Sequence, residues 1–216
     1  MRSPKTPKFA DYNARANCFS PHQLHDNTVD EWLDGAQLML EVGAGTAKVS
    51  LEYARQHPEA QVIAIDQKAD RLVKAARVAE GEGLDNIAFI HSDLRRLDEI
   101  IDLSGKVAHI WVTFPDPYPK DRHEKNRLTY PKMLSIYANY LQPNGILEFK
   151  TDNKDLYEYS LQQVEESDVF ALEARVEDLH GSSVDDPVAL AKTSYEQKFL
   201  GEGLTTKYLR ATKIAK

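Results

Sequence analysis

Short apolar runs alternate with amphipathic segments along the chain, and this alternation predicts the order of its secondary-structure elements. Near-continuous apolar runs predict buried strands, because a parallel strand that is covered on both faces has no polar side. The two runs after residue 168 are looser and are predicted to pair antiparallel. The predicted strands are 38–42, 62–66, 87–91, 108–114, 146–150, 169–176 and 207–213.

Helical patterns lie between these runs. Segment 68–80 is the clearest helical pattern, because it has an apolar side and two glycines, Gly81 and Gly83, end it. The apolar side consists of Leu72, Val73, Ala76 and Val78. The other predicted helices are 47–56, 128–140 and 154–165. Alternating strands and helices are typical of βαβ units. We therefore predict one doubly wound α/β domain with a mostly parallel sheet, spanning residues 1–216.

The formal net charge of −7 argues against a general attraction to nucleic acid, but the charge is unevenly distributed. The stretches 1–17, 118–132 and 205–216 together carry +10, so that the rest of the chain carries −17. A basic footprint for RNA therefore stays open. Residues 1–20 are predicted to form a basic, flexible N-terminal arm.

The sequence contains neither an apolar run that could span a membrane nor a secretory signal, and its one cysteine, Cys18, cannot form an intramolecular disulfide. We expect a cytoplasmic monomer or homodimer that has no membrane association and no obligate protein partner. The histidines and the cysteine show no metal-ligand spacing, so no metal is expected.

A glycine-containing loop, residues 41–47 (EVGAGTA), follows the first predicted strand and begins the first predicted helix. Gly43 and Gly45 permit a tight turn at the carboxyl end of a strand, where open α/β sheets bind ligands. Asp66 ends the second predicted strand, where a carboxylate can accept both ribose hydroxyls of an adenosine. A dinucleotide-binding loop would have glycine at the position of Lys48, which disfavours a nicotinamide enzyme.

This loop resembles the acidic, glycine-rich loop of class I S-adenosylmethionine-dependent methyltransferases, with Ala47 in place of its last glycine. The resemblance implies a Rossmann-like, mostly parallel seven-stranded sheet with helices on both faces and antiparallel last strands. It implies S-adenosyl-L-methionine as the cofactor, with Glu41 near its methionine, Asp66 at its ribose and Asp93 at its adenine. The implied cofactor-binding residues are Glu41, Gly43, Gly45, Asp66, Asp93 and Asp116.

A proline-rich segment follows the fourth predicted strand, where residues 113–120 are TFPDPYPK and residues 121–128 are DRHEKNRL. Three prolines within five residues restrict the backbone and remove amide donors, which predicts a stiff loop that can aim Asp116. The segment resembles the FPDPWPK and RHxKRR signature of bacterial tRNA (guanine-N7-)-methyltransferases. Tyr118 stands where tryptophan is usual, and Asn126 replaces one arginine.

Residues 151–152 (TD) and 193–196 (TSYE) resemble later elements of the same family, so the resemblance runs from about residue 40 to residue 200. It implies methylation of guanine N7 in tRNA, at the variable-loop guanine, with S-adenosyl-L-homocysteine as the other product. It also implies that Asp116 is catalytic and stabilises the positive charge that develops on the base. The implied tRNA-binding residues are Lys120, Arg122, His123, Lys125, Arg127, Asp152, Thr193, Ser194, Tyr195 and Glu196.

Two other functions stay open at this point. A nucleic-acid methyltransferase that acts on an exocyclic amine uses a related Asp-Pro-Pro-Tyr motif at the same strand end. The chain has the order Asp116-Pro117-Tyr118-Pro119 instead. An RNA-binding protein could also keep this fold without turnover, because a fold does not by itself determine an activity.

Overall fold

The computed structural model describes residues 6–20, 37–99 and 101–214, and residues 1–5 of the predicted N-terminal arm lie outside this part. The chain divides into two compact units, Met1–Asp102 and Leu103–Lys216. The single domain predicted for residues 1–216 stays a prediction. Among the described helices, none has the length and apolar character that crossing a membrane requires.

The strands in the described part of the first unit are all parallel. They are β1 (Cys18–Phe19), β2 (Leu38–Val42), β3 (Gln61–Asp66) and β4 (Ile87–His91). Within the unit the order is β1-β4-β3-β2, and every pair is parallel. All five residues of β2 are buried, as expected of a strand without a polar side. Three of these strands match the predicted ones to within one residue, whereas β1 is too short to produce a pattern.

The described residues of the first unit contain the helices α1 (Thr6–Asn13), α2 (Lys48–Gln56) and α3 (Ala69–Glu82), with a 3-10 turn at Leu94–Glu99. The segment 6–20, which was expected to be part of a flexible arm, contains α1 and β1. The fully buried Tyr12 anchors it, because its hydroxyl lies 2.8 Å from the carbonyl oxygen of Phe19 and 2.7 Å from that of Phe89.

The second unit combines parallel and antiparallel strands. They are β5 (Val107–Thr113), β6 (Leu141–Thr151), β7 (Phe170–Val176) and β8 (Lys207–Lys213), in the order β5-β6-β8-β7. β5 and β6 are parallel, and β8 is antiparallel to both β6 and β7. The predicted antiparallel pairing of the last two strands is therefore confirmed. Including the short β1, the described residues contain eight strands where seven were predicted.

The helices of the second unit are α4 (Pro131–Tyr140), α5 (Lys154–Glu165), α6 (Pro187–Leu190) and α7 (Ser194–Gly201), with a 3-10 turn at Asp121–Asn126. α4 begins three residues later than predicted, because Pro131 suits the first turn of a helix. β6 begins five residues earlier than predicted. Its exposed residues 142–144 form an irregularity against β5, where the pairing shifts between Val107 and His109.

Candidate active site

Three carboxylates lie at one edge of the sheet in the first unit. Glu41 belongs to β2, Asp66 is the last residue of β3, and Asp93 follows β4 by two residues. Because β3 pairs in parallel with both β2 and β4, the carboxyl ends of the three strands share an edge. Open α/β sheets bind ligands at this kind of edge.

The Asp66 carboxylate is oriented by the glycine-containing loop. One of its oxygens accepts a hydrogen bond from the amide of Gly45 at 2.9 Å, and the other accepts one from the amide of Lys68 at 2.7 Å. Gly43 and Gly45 have φ angles of 67° and 58°, the left-handed region that the turn requires. Ala47 has the same conformation, with φ 49°, although its methyl group makes this conformation less favourable.

Glu41 is 1% exposed and joins β2 to the start of α2. Its Oε2 accepts hydrogen bonds from the amide of Ser50 at 2.9 Å and from the hydroxyl of Ser50 at 2.5 Å. A carboxylate is favoured at this place, because the first turn of a helix presents amide donors and a positive dipole end. The contact makes Glu41 a rigid negative charge beside the loop.

Asp93 is held in its ionised form. The guanidinium of Arg95 donates to both of its oxygens, at 3.0 and 2.7 Å, and the Arg95 amide donates a third hydrogen bond at 3.0 Å. These contacts with Arg95 lower the pKa of the Asp93 carboxyl below its usual value, despite partial burial. Asp93 can therefore act only as a hydrogen-bond acceptor at neutral pH.

Asp116 lies exposed in the proline-rich loop after β5, midway between two residues with unusual backbone angles. Phe114 and Tyr118 both have φ 44°. Left-handed angles are rare for bulky residues, and such strain persists only where the surrounding structure imposes it, most often at functional sites. The loop is therefore held in a conformation that its residues do not prefer, with a free carboxylate at its centre.

Contacts with α7 and β6 hold the first half of this loop. The amide of Phe114 donates to the carbonyl oxygen of Lys150 at 2.8 Å. The ring of Phe114 packs edge-on against Tyr195 and Phe199, with centroids 5.9 and 5.5 Å apart. In the second half, Arg127 contacts the loop carbonyls of Pro117 and Tyr118.

The basic residues after the loop are mostly exposed. Lys120 precedes the 3-10 turn Asp121–Asn126, and Arg122 and Lys125 within this turn are exposed. His123 is half-buried, and its Nε2 lies 3.3 Å from Nε of Arg122. Three cationic side chains of the predicted RNA-binding set, those of Lys120, Arg122 and Lys125, are thus exposed to solvent.

The segment 193–196 starts α7 and has two inward and two outward side chains. Thr193 and Glu196 form a capping box, in which the side chain of each accepts a hydrogen bond from the amide of the other. Ser194 is exposed, and Tyr195 is 56% exposed. The Tyr195 hydroxyl donates to the carboxylate of Asp152 at 2.9 Å, which places both residues at the end of β6.

Glu196 is fully buried within a polar network that sequence patterns did not predict. Its carboxylate oxygens lie 3.3 Å from Nζ of Lys150, 2.7 Å from Nε2 of His180 and 2.8 Å from the hydroxyl of Thr206. Lys150 is also 0% exposed. The Thr-x-x-Glu spacing is a known helix-start signal and indicates the capping box, whereas no sequence signal indicates Lys150 or His180.

Solved structures of methyltransferases share this fold. The 16S rRNA methyltransferase KamB superimposes with a TM-score of 0.64 at 18% identity, over 88% of this chain and 94% of that one. A mutant of the 16S rRNA (adenine(1408)-N(1))-methyltransferase from Catenulisporales acidiphilia, solved with its cosubstrate S-adenosylmethionine, gives 0.58 at 16% identity, over 92% and 93%. The fold is that of the class I methyltransferases.

Sequence relatives define the family more closely. The family model "Methyltransf_4: Putative methyltransferase" matches residues 35–209. The tRNA (guanine-N(7)-)-methyltransferase of Levilactobacillus brevis is 37% identical, over 85% of this chain and 83% of that protein. The protein of the same name from Alkaliphilus oremlandii is 37% identical, over 76% and 75%. The chain belongs to the tRNA (guanine-N(7)-)-methyltransferase family.

Proposed function

We propose that this protein transfers the methyl group of S-adenosyl-L-methionine to N7 of the variable-loop guanine in tRNA. Its relatives, which are named for guanine-N(7) methylation of tRNA, support this reaction. The observation that carries the proposal in this chain is the exposed carboxylate of Asp116. A loop with two left-handed residues, Phe114 and Tyr118, holds it in place.

The polar groups of the first unit fit the cofactor. S-adenosylmethionine has no pyrophosphate, so its site needs hydrogen-bond acceptors and not a phosphate-binding loop. Each Asp66 oxygen that accepts an amide keeps a second lone pair for a ribose hydroxyl. The ionised Asp93 would accept the adenine amino group, and Glu41 would lie near the methionine moiety. Gly43 and Gly45 permit the backbone to approach the cofactor closely.

The cofactor supplies the methyl group on a sulfonium, which is already an electrophile. N7 of neutral guanine carries a free lone pair, so the N7–carbon bond forms as the carbon–sulfur bond breaks, without transfer of a proton. The methylated base is cationic. Asp116 would therefore act by orienting the base and by stabilising the positive charge that develops on it. No general base is required, and we assign none to His123.

The exposed basic residues provide the contacts with the RNA backbone. We assign Lys120, Arg122 and Lys125 to phosphates, because each is an exposed cation that follows the catalytic loop in the chain. His123 would contact phosphate or sugar in the same segment. Contacts of this kind position the nucleotide without reading its sequence.

Tyr195 offers an exposed ring on which a base can stack, in a position that its hydrogen bond to Asp152 defines. Ser194 is exposed beside it and can donate to the nucleotide. Thr193 and Glu196 are engaged in the capping box, so they would act on the substrate by positioning Tyr195. The enzyme is expected to act in the cytoplasm as a monomer or homodimer, without a metal ion.

The test is a labelled-methyl assay. The protein is incubated with methyl-labelled S-adenosylmethionine and an unmodified tRNA transcript, and the RNA is then digested to nucleosides. We expect the label in 7-methylguanosine. A transcript with adenine in place of the variable-loop guanine should receive no label, and Asp116→Asn, which keeps the shape but removes the charge, should reduce the rate strongly.

Other results would identify the alternatives. Label in a nucleoside that is methylated on an exocyclic amine would refute N7 as the acceptor while preserving the class of enzyme. Binding of S-adenosylmethionine by calorimetry without any labelled product would support a non-catalytic RNA-binding protein. Label at another guanine N7 would refute only the variable-loop position.

A further inference from the structure

Arg127 belongs to the basic segment after the catalytic loop, but its side chain is directed at the protein itself. Its Nε donates to the carbonyl oxygen of Pro117 at 3.2 Å, and its Nη2 donates to that of Tyr118 at 3.1 Å. The planar fork of the guanidinium thus spans two consecutive carbonyls, a geometry that lysine cannot reproduce. These carbonyls belong to the two residues that directly follow Asp116.

The guanidinium is also held from a second side. Its Cζ lies 4.2 Å from the centroid of the Tyr159 ring, within range of a cation–π interaction. Burial and the nearby Glu124 carboxylate raise the pKa of the Tyr159 hydroxyl, so this ring stays a neutral partner for the cation. The backbone of Arg127 is restrained as well, because its amide donates to the carbonyl oxygen of Glu124 at 2.9 Å.

The two carbonyls that Arg127 contacts include that of Tyr118, one of the two strained residues of the loop. A left-handed tyrosine would relax unless neighbouring groups compensated for its cost. The Pro117 and Tyr118 peptides directly follow Asp116 in the chain, so restraining them restrains the direction of its carboxylate. The side chain of Arg127 is half-buried, whereas that of Arg122 in the same segment is exposed.

We propose that Arg127 is a positioning residue for the methyl transfer, which fixes the loop that carries Asp116 and does not bind an RNA phosphate. This inference rests on the proposed function, in which Asp116 is the catalytic residue. The two possible roles of Arg127 have different kinetic consequences. A phosphate contact contributes to tRNA affinity and to its salt dependence, whereas a loop support contributes to the rate of the bound complex.

The experiment measures kcat and KM for tRNA at several salt concentrations, with S-adenosylmethionine saturating, for Arg127→Lys and Arg127→Ala. We expect both variants to lose about 10- to 100-fold in kcat, because small displacements of catalytic groups have effects of this size. The slope of log KM against log salt should stay that of the unchanged protein. Arg127→Lys should fail although it retains the charge.

Arg122→Ala is the matched control, because it removes an arginine from the same segment. We expect it to raise KM and to reduce the salt slope by about 0.7 to 0.9, as the loss of one phosphate contact requires. If Arg127→Ala behaves like Arg122→Ala, and Arg127→Lys keeps full kcat, Arg127 is a phosphate contact and the inference is wrong.

Two further measurements separate other causes. Circular dichroism and the thermal midpoint report whether each variant is folded. If Arg127→Ala is not folded, the kcat of Arg127→Lys by itself distinguishes a loop support from a phosphate contact. Absence of 7-methylguanosine with the unchanged protein would instead contradict the proposed function. If the unchanged protein forms 7-methylguanosine normally and Arg127→Lys is as active as it is, only the inference about Arg127 is contradicted.

Discussion

Replacing Lys150 by methionine should destabilise the protein strongly, because it breaks a fully buried ion pair. Lys150 and Glu196 are both 0% exposed, and Nζ of Lys150 lies 3.3 Å from the carboxylate of Glu196. Its Nζ also donates to the carbonyl oxygens of Ala189 and Ala191, at 3.1 and 2.6 Å. Methionine fills a similar volume but satisfies none of these acceptors. Removing one partner of a buried pair typically costs about 3 to 5 kcal/mol.

Urea unfolding followed by circular dichroism would measure this loss as a lower midpoint at an unchanged slope. The matched control is Lys154→Met, which breaks the Lys154–Glu158 pair, whose side chains are 71% and 60% exposed. Its effect should stay within about 0.5 kcal/mol, as for most exposed ion pairs. If the losses of unfolding free energy in Lys150→Met and in this control differed by less than about 1 kcal/mol, the claim that the buried pair stabilises the fold would be refuted. Breaking a buried pair is expected to cost more than breaking an exposed one.

The double variant Lys150→Met with Glu196→Gln tests the same reasoning from the other partner. Glutamine removes the negative charge that the single variant leaves buried, and its amide oxygen can still accept from Thr206. The double variant should therefore lose less stability than the sum of the single losses, with a coupling of about 1 to 3 kcal/mol. Strictly additive losses would show that the two residues do not interact across the network.

Substitutions at other sites also have defined outcomes. Gly145→Ala should lower the free energy of unfolding by about 1 to 3 kcal/mol in the urea assay, because the new Cβ would lie 3.0 Å from a backbone oxygen. Gly81→Ala should instead raise it by about 0.5 to 1 kcal/mol, because the new Cβ would have nothing within 4 Å and alanine favours the helix. Asp66→Asn should weaken S-adenosylmethionine binding about 10- to 100-fold by calorimetry, and unchanged affinity would exclude the ribose contact. The hydrogen bond to Asp152, with partial burial, raises the pKa of the Tyr195 hydroxyl above 10.0. The stabilisation that this hydrogen bond gives the folded protein is therefore present below pH 10.0 and is lost as the pH rises through the folded-state pKa. The phenolate absorbance of Tyr195 is identified as the part that Tyr195→Phe removes. In Asp152→Asn this absorbance should appear at a lower pH than in the unchanged protein.

The strands were predictable because their signal is local. A run such as Leu38–Val42 is apolar except for Glu41, and the position of Asp66 at a strand end follows from the same pattern. Where an observed helix boundary differs from the predicted one, a particular residue explains the difference. α3 continues through Gly81 to Glu82, because the left-handed Gly83, with φ 69°, is the residue that ends the helix. A glycine inside a helix weakens it without ending it.

The supports of the active-site loop were not predictable, because they depend on contacts between distant parts of the chain. Lys150 lies in the strand β6, but its partner Glu196 lies 46 residues later in the chain. A motif also cannot show which way a side chain points. Glu196 and Arg127 were both assigned to tRNA by resemblance, yet one is fully buried and the other contacts its own loop.

The strain around Asp116 explains why these supports come from several elements. Phe114 and Tyr118 each adopt a left-handed angle that costs of the order of 1 to 3 kcal/mol, and prolines alone do not compensate for it. The amide of Phe114 is held by the strand β6, and the carbonyl of Tyr118 by Arg127. Each half of the loop therefore has its own support, and loss of either should release one strained residue while the other stays in place. A variant that relaxes only one half would keep the fold and lose the direction of the carboxylate, so low kcat with normal stability is the signature to expect from residues that support this loop.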